Sequence, residues 1–128
     1  RLGSETGATL AGPSVKRRIE WAVDLAKQDK PLIEIMDDIS DLIGTGLAAA
    51  EAVPAVFGLI QASFDQPMEA IIAAVNIGND TDTIATMVGG VLGAYYGNEA
   101  FPSVYLDQLN RINRFDLEIM ANAIEAFQ

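Results

Sequence analysis

Apolar residues recur every three to four positions along most of the chain, which is the spacing of one face of an α-helix. The clearest case follows Ser14, where an apolar stripe runs from Val15 to Ala26 with charged residues between its members. Sustained polar–apolar alternation and Asn-Gly or Asp-Gly hairpin turns, the usual marks of strands, are not found. The pattern therefore predicts an all-α chain.

Prolines, glycines and capping residues divide this periodic sequence into about seven helices. Ser14 caps the first helix, which is expected to end near Gln28, and Pro31 opens the second, which ends near residue 42 or 43. The others are expected at about 48–64, 67–78 and 81–96, then from residue 102 onward, and finally around 115–127. The short loops between them predict a bundle that is not a coiled coil.

Two of these helices carry more specific expectations. Pro54 falls early in the third helix, so the first turn is expected to begin near Val53 or the helix to kink there. In the sixth helix, the spacing of Tyr105, Leu109 and Ile112 predicts that these side chains face inward. The apolar residues of the last helix are Phe115, Ile119, Ala123, Ile124 and Phe127.

Composition limits the chemistry that the chain can perform. Its 128 residues suit one compact domain or a piece of one, and a mean hydropathy of +0.22 indicates a packed core. The net charge of −10 disfavours direct binding to nucleic acid. The absence of cysteine and histidine excludes thiol nucleophiles, disulfides, Cys/His zinc sites and imidazole bases in this chain. Any chemistry must therefore use carboxylates, hydroxyls, amides and the backbone.

The sequence also bears on location. The chain begins RLGSETGATLAG, an expected entry loop without the apolar run of a secretory leader. The uncharged run Ile84–Tyr96 has 13 residues, fewer than the ~20 that span a bilayer, and is interpreted as a buried core helix. Because cysteine is also absent, we expect a cytoplasmic protein without membrane contact.

The densest group of side-chain oxygens lies at the start of the fifth predicted helix, in the stretch GNDTDT. Within a regular helix Asp80 and Asp82 would point about 200° apart. With Asp80 as a non-helical N-cap after the flexible Gly78, its side chain can turn toward those of Asp82 and Thr83. Two interpretations stay open: capping alone, or an incomplete site for a hard cation such as magnesium, manganese or calcium.

Three further features invite interpretation. Gly89, Gly93 and Gly97 recur on one face of the fifth helix, which suggests close backbone approach by neighbouring helices. The stretch Gly44–Gly46 is either a plain turn between helices or a loop whose backbone a ligand can approach. The basic run Lys16–Arg18 is expected to be a solvated face rather than a site for an anionic ligand.

At these residues the chain resembles a known family. GNDTDTIATMVGGVLGAYYG resembles the C-terminal metal motif of the ADP-ribosylglycohydrolase family. IGTGLAAAEAVPAVFGLI resembles that family's Gly-x-Gly loop and Glu-Ser-Val-Pro-Ala helix, and PSVKRRIEWAVDLA is similar to a helix upstream of the loop. The resemblance covers nearly the whole chain. It implies an all-α, multi-helix orthogonal bundle of the ADP-ribosylglycohydrolase type.

The resemblance also implies an activity and a site. Such enzymes bind two divalent ions, Mg²⁺ or Mn²⁺, and hydrolyse the glycosidic bond of an ADP-ribosyl group on a protein or a small molecule. Carried over by position, the metal ligands are Asp80, Asp82 and Thr83, and the loop that approaches the ADP-ribose contains Thr45, Gly46 and Leu47. No catalytic residue is assigned. The glutamate of the family's Glu-Ser-Val-Pro motif corresponds to Glu51, which receives no role, and the serine of that motif is replaced by Ala52.

One departure from the family pattern concerns completeness. The family's other metal half-site, a Thr-Asp-Asp-Thr stretch, and an acidic residue near the catalytic centre belong to the N-terminal half, and neither occurs in this chain. Residues 1–128 are therefore expected to form the C-terminal portion of a single all-α domain, with its own N-terminal portion as partner and half of the metal site. The alternative is a non-catalytic structural or interaction member of the same fold.

Overall fold

The computed structural model describes residues 12–126, and all regular structure in that range is helical. A π-helical segment, Ile39–Ile43, prolongs the second helix, and a 3₁₀ turn, Asn98–Ala100, precedes the sixth. The all-α fold with about seven helices is confirmed. Residues 1–11 of the expected entry loop, and Phe127, lie outside the described residues. The α-helices are α1 Val15–Ala26, α2 Leu32–Asp38, α3 Ala49–Ala62, α4 Pro67–Asn76, α5 Thr81–Tyr96, α6 Ser103–Asn113 and α7 Leu117–Glu125.

Local stop and start residues define most helix ends as predicted. The Ser14 hydroxyl accepts a hydrogen bond of 3.4 Å from the Arg17 N–H at the start of α1. Gly97, with φ +79°, follows the predicted last residue of α5. Helix α3 begins at Ala49, close to the predicted residue 48, so that Pro54 lies inside the helix and the alternative start near Val53 is wrong.

The core is closely packed where α1 and the π-helical segment meet α3. A Cβ placed on Gly58 of α3 would lie 2.8 Å from Ile39 Cδ1 and 3.2 Å from Ala22 Cβ of α1. Both neighbours are fully buried, so the missing side chain at Gly58 is what lets the two helices approach. Around this contact α5 packs on α3 and α4.

The glycines of α5 do not mark such a contact, so the expectation of close backbone approach there is wrong. A Cβ on Gly89 would come no nearer than 3.6 Å to any neighbour, one on Gly93 no nearer than 3.8 Å, and one on Gly97 would meet nothing within 4 Å. The reason is that α5 is buried on one face only. That face consists of Ile84, Val88 and Leu92, whereas Val91 and Tyr95 are 44% and 68% exposed.

Helices α6 and α7 contribute no buried residue to the described part of the core. The predicted inward-facing residues Tyr105, Leu109 and Ile112 are about half exposed, so that prediction is wrong. Periodicity correctly identified an apolar face, but periodicity carries no information about which element covers that face. Among residues 12–126, no helix is long and apolar enough to cross a bilayer.

Candidate metal and ligand site

A sharp reversal of the chain joins α4 to α5 and carries the predicted metal ligands; we call residues 78–83 the aspartate turn. Gly78 and Asn79 both have positive φ, +93° and +57°, a conformation that glycine and asparagine tolerate best. Asp80 follows as the N-cap residue with φ −85° and ψ 56°, the predicted non-helical position. Its carbonyl accepts the first helical hydrogen bond, from the Ile84 N–H at 3.1 Å.

The Asp80 carboxylate does not cap the helix that it precedes. It accepts no hydrogen bond from a backbone N–H of α5, and its Oδ1 instead accepts one of 2.9 Å from the Thr83 hydroxyl. The Asp82 side chain is exposed in the first turn, and no hydrogen bond or ion pair within residues 12–126 engages its carboxylate. The structure thus brings Asp80 and Thr83 into contact and leaves Asp82 facing solvent beside them.

The side-chain oxygens of the aspartate turn are of the type that a hard cation binds, but they are too few to complete its coordination shell. Two carboxylates and a hydroxyl are oxygen donors of the type that magnesium and manganese select. Across the described part of the chain, however, no three Asp, Glu, His or Cys side chains gather into one potential metal site. The residues present therefore fit part of such a site.

The second predicted element, here called the glycine loop (residues 44–47), is bonded directly to the aspartate turn. The Thr45 carbonyl accepts a hydrogen bond of 3.0 Å from the Asp80 N–H, and its hydroxyl accepts one of 2.9 Å from the Asn79 side-chain amide. The Thr45 side chain is fully buried. Two stretches that sequence reasoning singled out separately are thus one structural unit.

The other residues of the glycine loop are less buried than Thr45. The Leu47 side chain is 86% exposed, and Gly46 is partly exposed. The assignment of Thr45, Gly46 and Leu47 to ADP-ribose binding stays a prediction.

Sequence reasoning missed the role of Glu51, the third residue of α3. Its Oε2 accepts a hydrogen bond of 3.1 Å from the Gly46 N–H. A Cβ on Gly46 would lie 2.7 Å from that oxygen, and one on Gly44, where φ is +89°, would lie 3.0 Å from the Glu51 carboxyl group. Both glycines are therefore needed for the carboxylate to reach the loop backbone. The sequence feature that could have indicated this contact is a glutamate in the first turn of the helix that follows a Gly-x-Gly loop.

Arg18 is also missed, and its expected placement on a solvated face is wrong. Its Nη2 donates to the Ile43 carbonyl at 2.6 Å and its Nη1 to the Ala50 carbonyl at 2.9 Å, on either side of the glycine loop. Ala50 lacks its usual helical donor because Pro54, four residues later, has no N–H. The Ile43 carbonyl lies at the end of its own helical segment. Arg18 therefore satisfies two carbonyls that the backbone leaves without a donor.

Comparison with curated proteins identifies relatives. "Uncharacterized protein YegU" of Escherichia coli (strain K12) is 24% identical over 128 residues, which is 100% of this chain and 38% of the relative. "ADP-ribosylhydrolase ARH3" of Mus musculus is 36% identical over 95 residues, 66% of this chain and 25% of the relative. The protein of that name from Homo sapiens is 34% identical over 76 residues, 52% of this chain and 21% of the relative.

The chain spans well under half the length of these relatives. No solved structure matches it. The family model for ADP-ribosylglycohydrolase matches residues 2–128, nearly the whole chain. The chain belongs to the ADP-ribosylglycohydrolase family.

Proposed function

We propose that this chain is part of a metal-dependent hydrolase that cleaves the glycosidic bond of an ADP-ribosyl group on a protein or a small molecule. Membership of the ADP-ribosylglycohydrolase family supports the reaction class, as does similarity to proteins named ADP-ribosylhydrolase. The observation that carries the proposal is the Asp80 carboxylate, which stands at a helix N-terminus without capping it and is paired with the Thr83 hydroxyl.

In this proposal Asp80, Asp82 and Thr83 hold Mg²⁺ or Mn²⁺. When bound, such ions supply positive charge where negative charge develops during hydrolysis. The chain's own contribution is to hold these oxygens on a rigid helix start, since Thr45 bonds the backbone of Asp80 and the side chain of Asn79. The backbone of Gly46 and the exposed Leu47 lie beside this point and form the surface that meets the ADP-ribose.

The incompleteness of the donor set defines the chain's share of the site. Two carboxylates and one hydroxyl cannot fill an octahedral shell, and no third acidic residue joins them within residues 12–126. We therefore propose that the remaining ligands come from an N-terminal portion of the family fold, and that this chain alone does not turn over substrate.

The first test measures Mn²⁺ binding to the 128-residue chain by the electron paramagnetic resonance of the free ion. We expect one weak site per chain, and we expect Asp82→Asn to weaken it about tenfold because a first-turn carboxylate is lost. Asp107→Asn is the matched control, since Asp107 is an exposed aspartate on α6. Unchanged affinity in Asp82→Asn would remove the metal assignment and favour a non-catalytic member of the family.

The second test measures turnover. The chain is mixed with the N-terminal portion that the proposal requires, and release of ADP-ribose from serine-linked and arginine-linked peptides is followed. We expect activity only in the mixture, and its loss with Asp82→Asn. Full activity of the 128-residue chain by itself would contradict the half-site proposal.

A further inference from the structure

The Glu51 carboxylate lies behind the glycine loop, where it is engaged with the loop backbone. Its Oε2 accepts from the Gly46 N–H, and the carboxyl group fills the space that side chains on Gly44 and Gly46 would occupy. Glu51 is also in the first turn of α3, where the helix dipole favours a negative charge. The carboxylate is thus positioned by the hydrogen bond from Gly46, and its negative charge is favoured by the helix dipole.

From Glu51 a continuous series of hydrogen bonds leads to the proposed metal ligands. The carboxylate fixes Gly46, and the adjacent Thr45 is bonded through its carbonyl to the Asp80 N–H and through its hydroxyl to Asn79. The two glycines on either side of Thr45 give the loop little rigidity of its own. The hydrogen bond to Glu51 is the only side-chain bond that the described structure shows to either glycine.

We propose that Glu51 is a positioning residue for the aspartate turn: it holds the glycine loop in the conformation from which Thr45 orients Asn79 and Asp80. The inference rests on the proposed function, because it concerns the same metal ligands. In this proposal Glu51 acts through the loop, because the hydrogen bond that the described structure shows for its carboxylate is the one from the Gly46 N–H. Residues that contact metal ligands without touching the metal orient those ligands and tune the affinity of the site for the metal.

The primary test needs no metal. Hydrogen exchange of the Asp80 N–H, followed by nuclear magnetic resonance in the metal-free chain, reports how often its bond to Thr45 opens. Glu51→Ala is expected to raise that exchange rate about tenfold, because loss of one charge-assisted hydrogen bond releases the loop. Glu51→Gln, whose amide oxygen can accept the same bond from Gly46, is expected to stay within about twofold of the wild type.

Glu69→Ala is the matched control for this experiment. Glu69 is likewise the third residue of its helix, α4, but its side chain is exposed and makes no hydrogen bond or ion pair within residues 12–126. Its replacement is expected to leave Asp80 exchange unchanged. Gly46→Ala is a second way to break this contact, because its Cβ would lie 2.7 Å from Glu51 Oε2 and would displace the carboxylate. It should raise Asp80 exchange in the same direction as Glu51→Ala and remains informative if that variant does not fold.

A second readout connects the inference to function. Glu51→Ala should also weaken Mn²⁺ binding, by about tenfold, while Glu51→Gln restores it. If Asp82→Asn does not change Mn²⁺ affinity, the proposed function fails, but the metal-free exchange result still decides the role of Glu51. The positioning role is overturned if folded Glu51→Ala and Gly46→Ala both show Asp80 exchange within twofold of the wild type.

Discussion

A double-mutant cycle on Arg18 and Pro54 tests how the ends of the glycine loop are held. Arg18→Met keeps an apolar stem but removes the guanidinium donors to Ile43 and Ala50. Pro54→Ala returns an N–H to the position four residues after Ala50, where a regular helix would supply the donor. The Arg18 guanidinium and the restored N–H at position 54 are therefore alternative donors to the Ala50 carbonyl. The structure predicts that the effects of the two substitutions on stability are not additive.

The magnitude follows from counting the bonds. Each partly buried hydrogen bond from Arg18 contributes about 1 kcal/mol, so Arg18→Met should lower the free energy of unfolding by about 2 kcal/mol. In the Pro54→Ala background the restored N–H bonds to the Ala50 carbonyl, and only the bond to Ile43 is lost. Arg18→Met then lowers stability by about 1 kcal/mol, which leaves a coupling energy of about 1 kcal/mol.

Urea denaturation of the four chains, followed by circular dichroism, measures this coupling, provided that the slopes with urea concentration agree. Arg17→Met is the control, since Arg17 is exposed and its side chain makes no hydrogen bond within the described residues. Its effect is expected to stay within about 0.5 kcal/mol. A coupling energy indistinguishable from zero, within about 0.3–0.5 kcal/mol, would show that Arg18 does not replace the missing donor.

Two further predictions concern packing and proton binding. Gly58→Ala should lower the free energy of unfolding by about 1 kcal/mol, because the new Cβ would lie 2.8 Å from a buried neighbour. Gly90→Ala has open space around its Cβ and should raise the free energy of unfolding by about 1 kcal/mol. Equal effects at the two glycines, measured in urea, would contradict the packing at Gly58. Partial burial and then the charge of Asp65 raise the pKa of Tyr96 above its ordinary value of 10.0. Stability linked to Tyr96 should therefore be lost as pH rises through that higher pKa. In a spectroscopic titration, Tyr96→Phe should remove a tyrosinate absorbance step centred above pH 10.0. A step at or below that pH would contradict the raised pKa.

The features that sequence reasoning predicted well are those decided by neighbouring residues. Both ends of α5 were predicted at the observed residues, because Gly97 supplies a positive φ after the helix and Asp80 a non-helical position before it. The reversal at Gly78 follows from the same local chemistry. Such features depend on a few consecutive side chains, and these are all present in the sequence.

The features that sequence reasoning missed are contacts between residues far apart in the chain. Arg18 bonds to Ile43 and Ala50 across 25 and 32 residues, and Thr45 bonds to Asn79 across 34. Within the basic run Lys16–Arg18, nothing local distinguishes the arginine that faces carbonyls from the two residues that face water. The outward faces of α6 were mispredicted for a related reason, since helical spacing identifies an apolar face but not its neighbour.

The aspartate turn differs from an ordinary N-cap in its backbone angles and in the partner of its carboxylate. Asp116 caps α7 in the ordinary way: with φ −116° and ψ 111°, its carboxylate accepts from the Glu118 and Ile119 N–H groups at 2.9 and 3.1 Å. Asp80 has the same position before α5, but its ψ is 56° and its carboxylate accepts from no helix N–H.

The cause of this difference lies outside α5. The Asp80 N–H is held by the Thr45 carbonyl, and the preceding Asn79 is held by the Thr45 hydroxyl with φ +57°. These bonds accompany a ψ of 56° at Asp80, outside the extended region in which N-cap residues usually lie. Forgoing a cap costs a helix about 1 kcal/mol. The chain thus makes the usual cap at Asp116 but leaves the Asp80 carboxylate to the Thr83 hydroxyl, an arrangement that capping does not explain and that agrees with the proposed cation site.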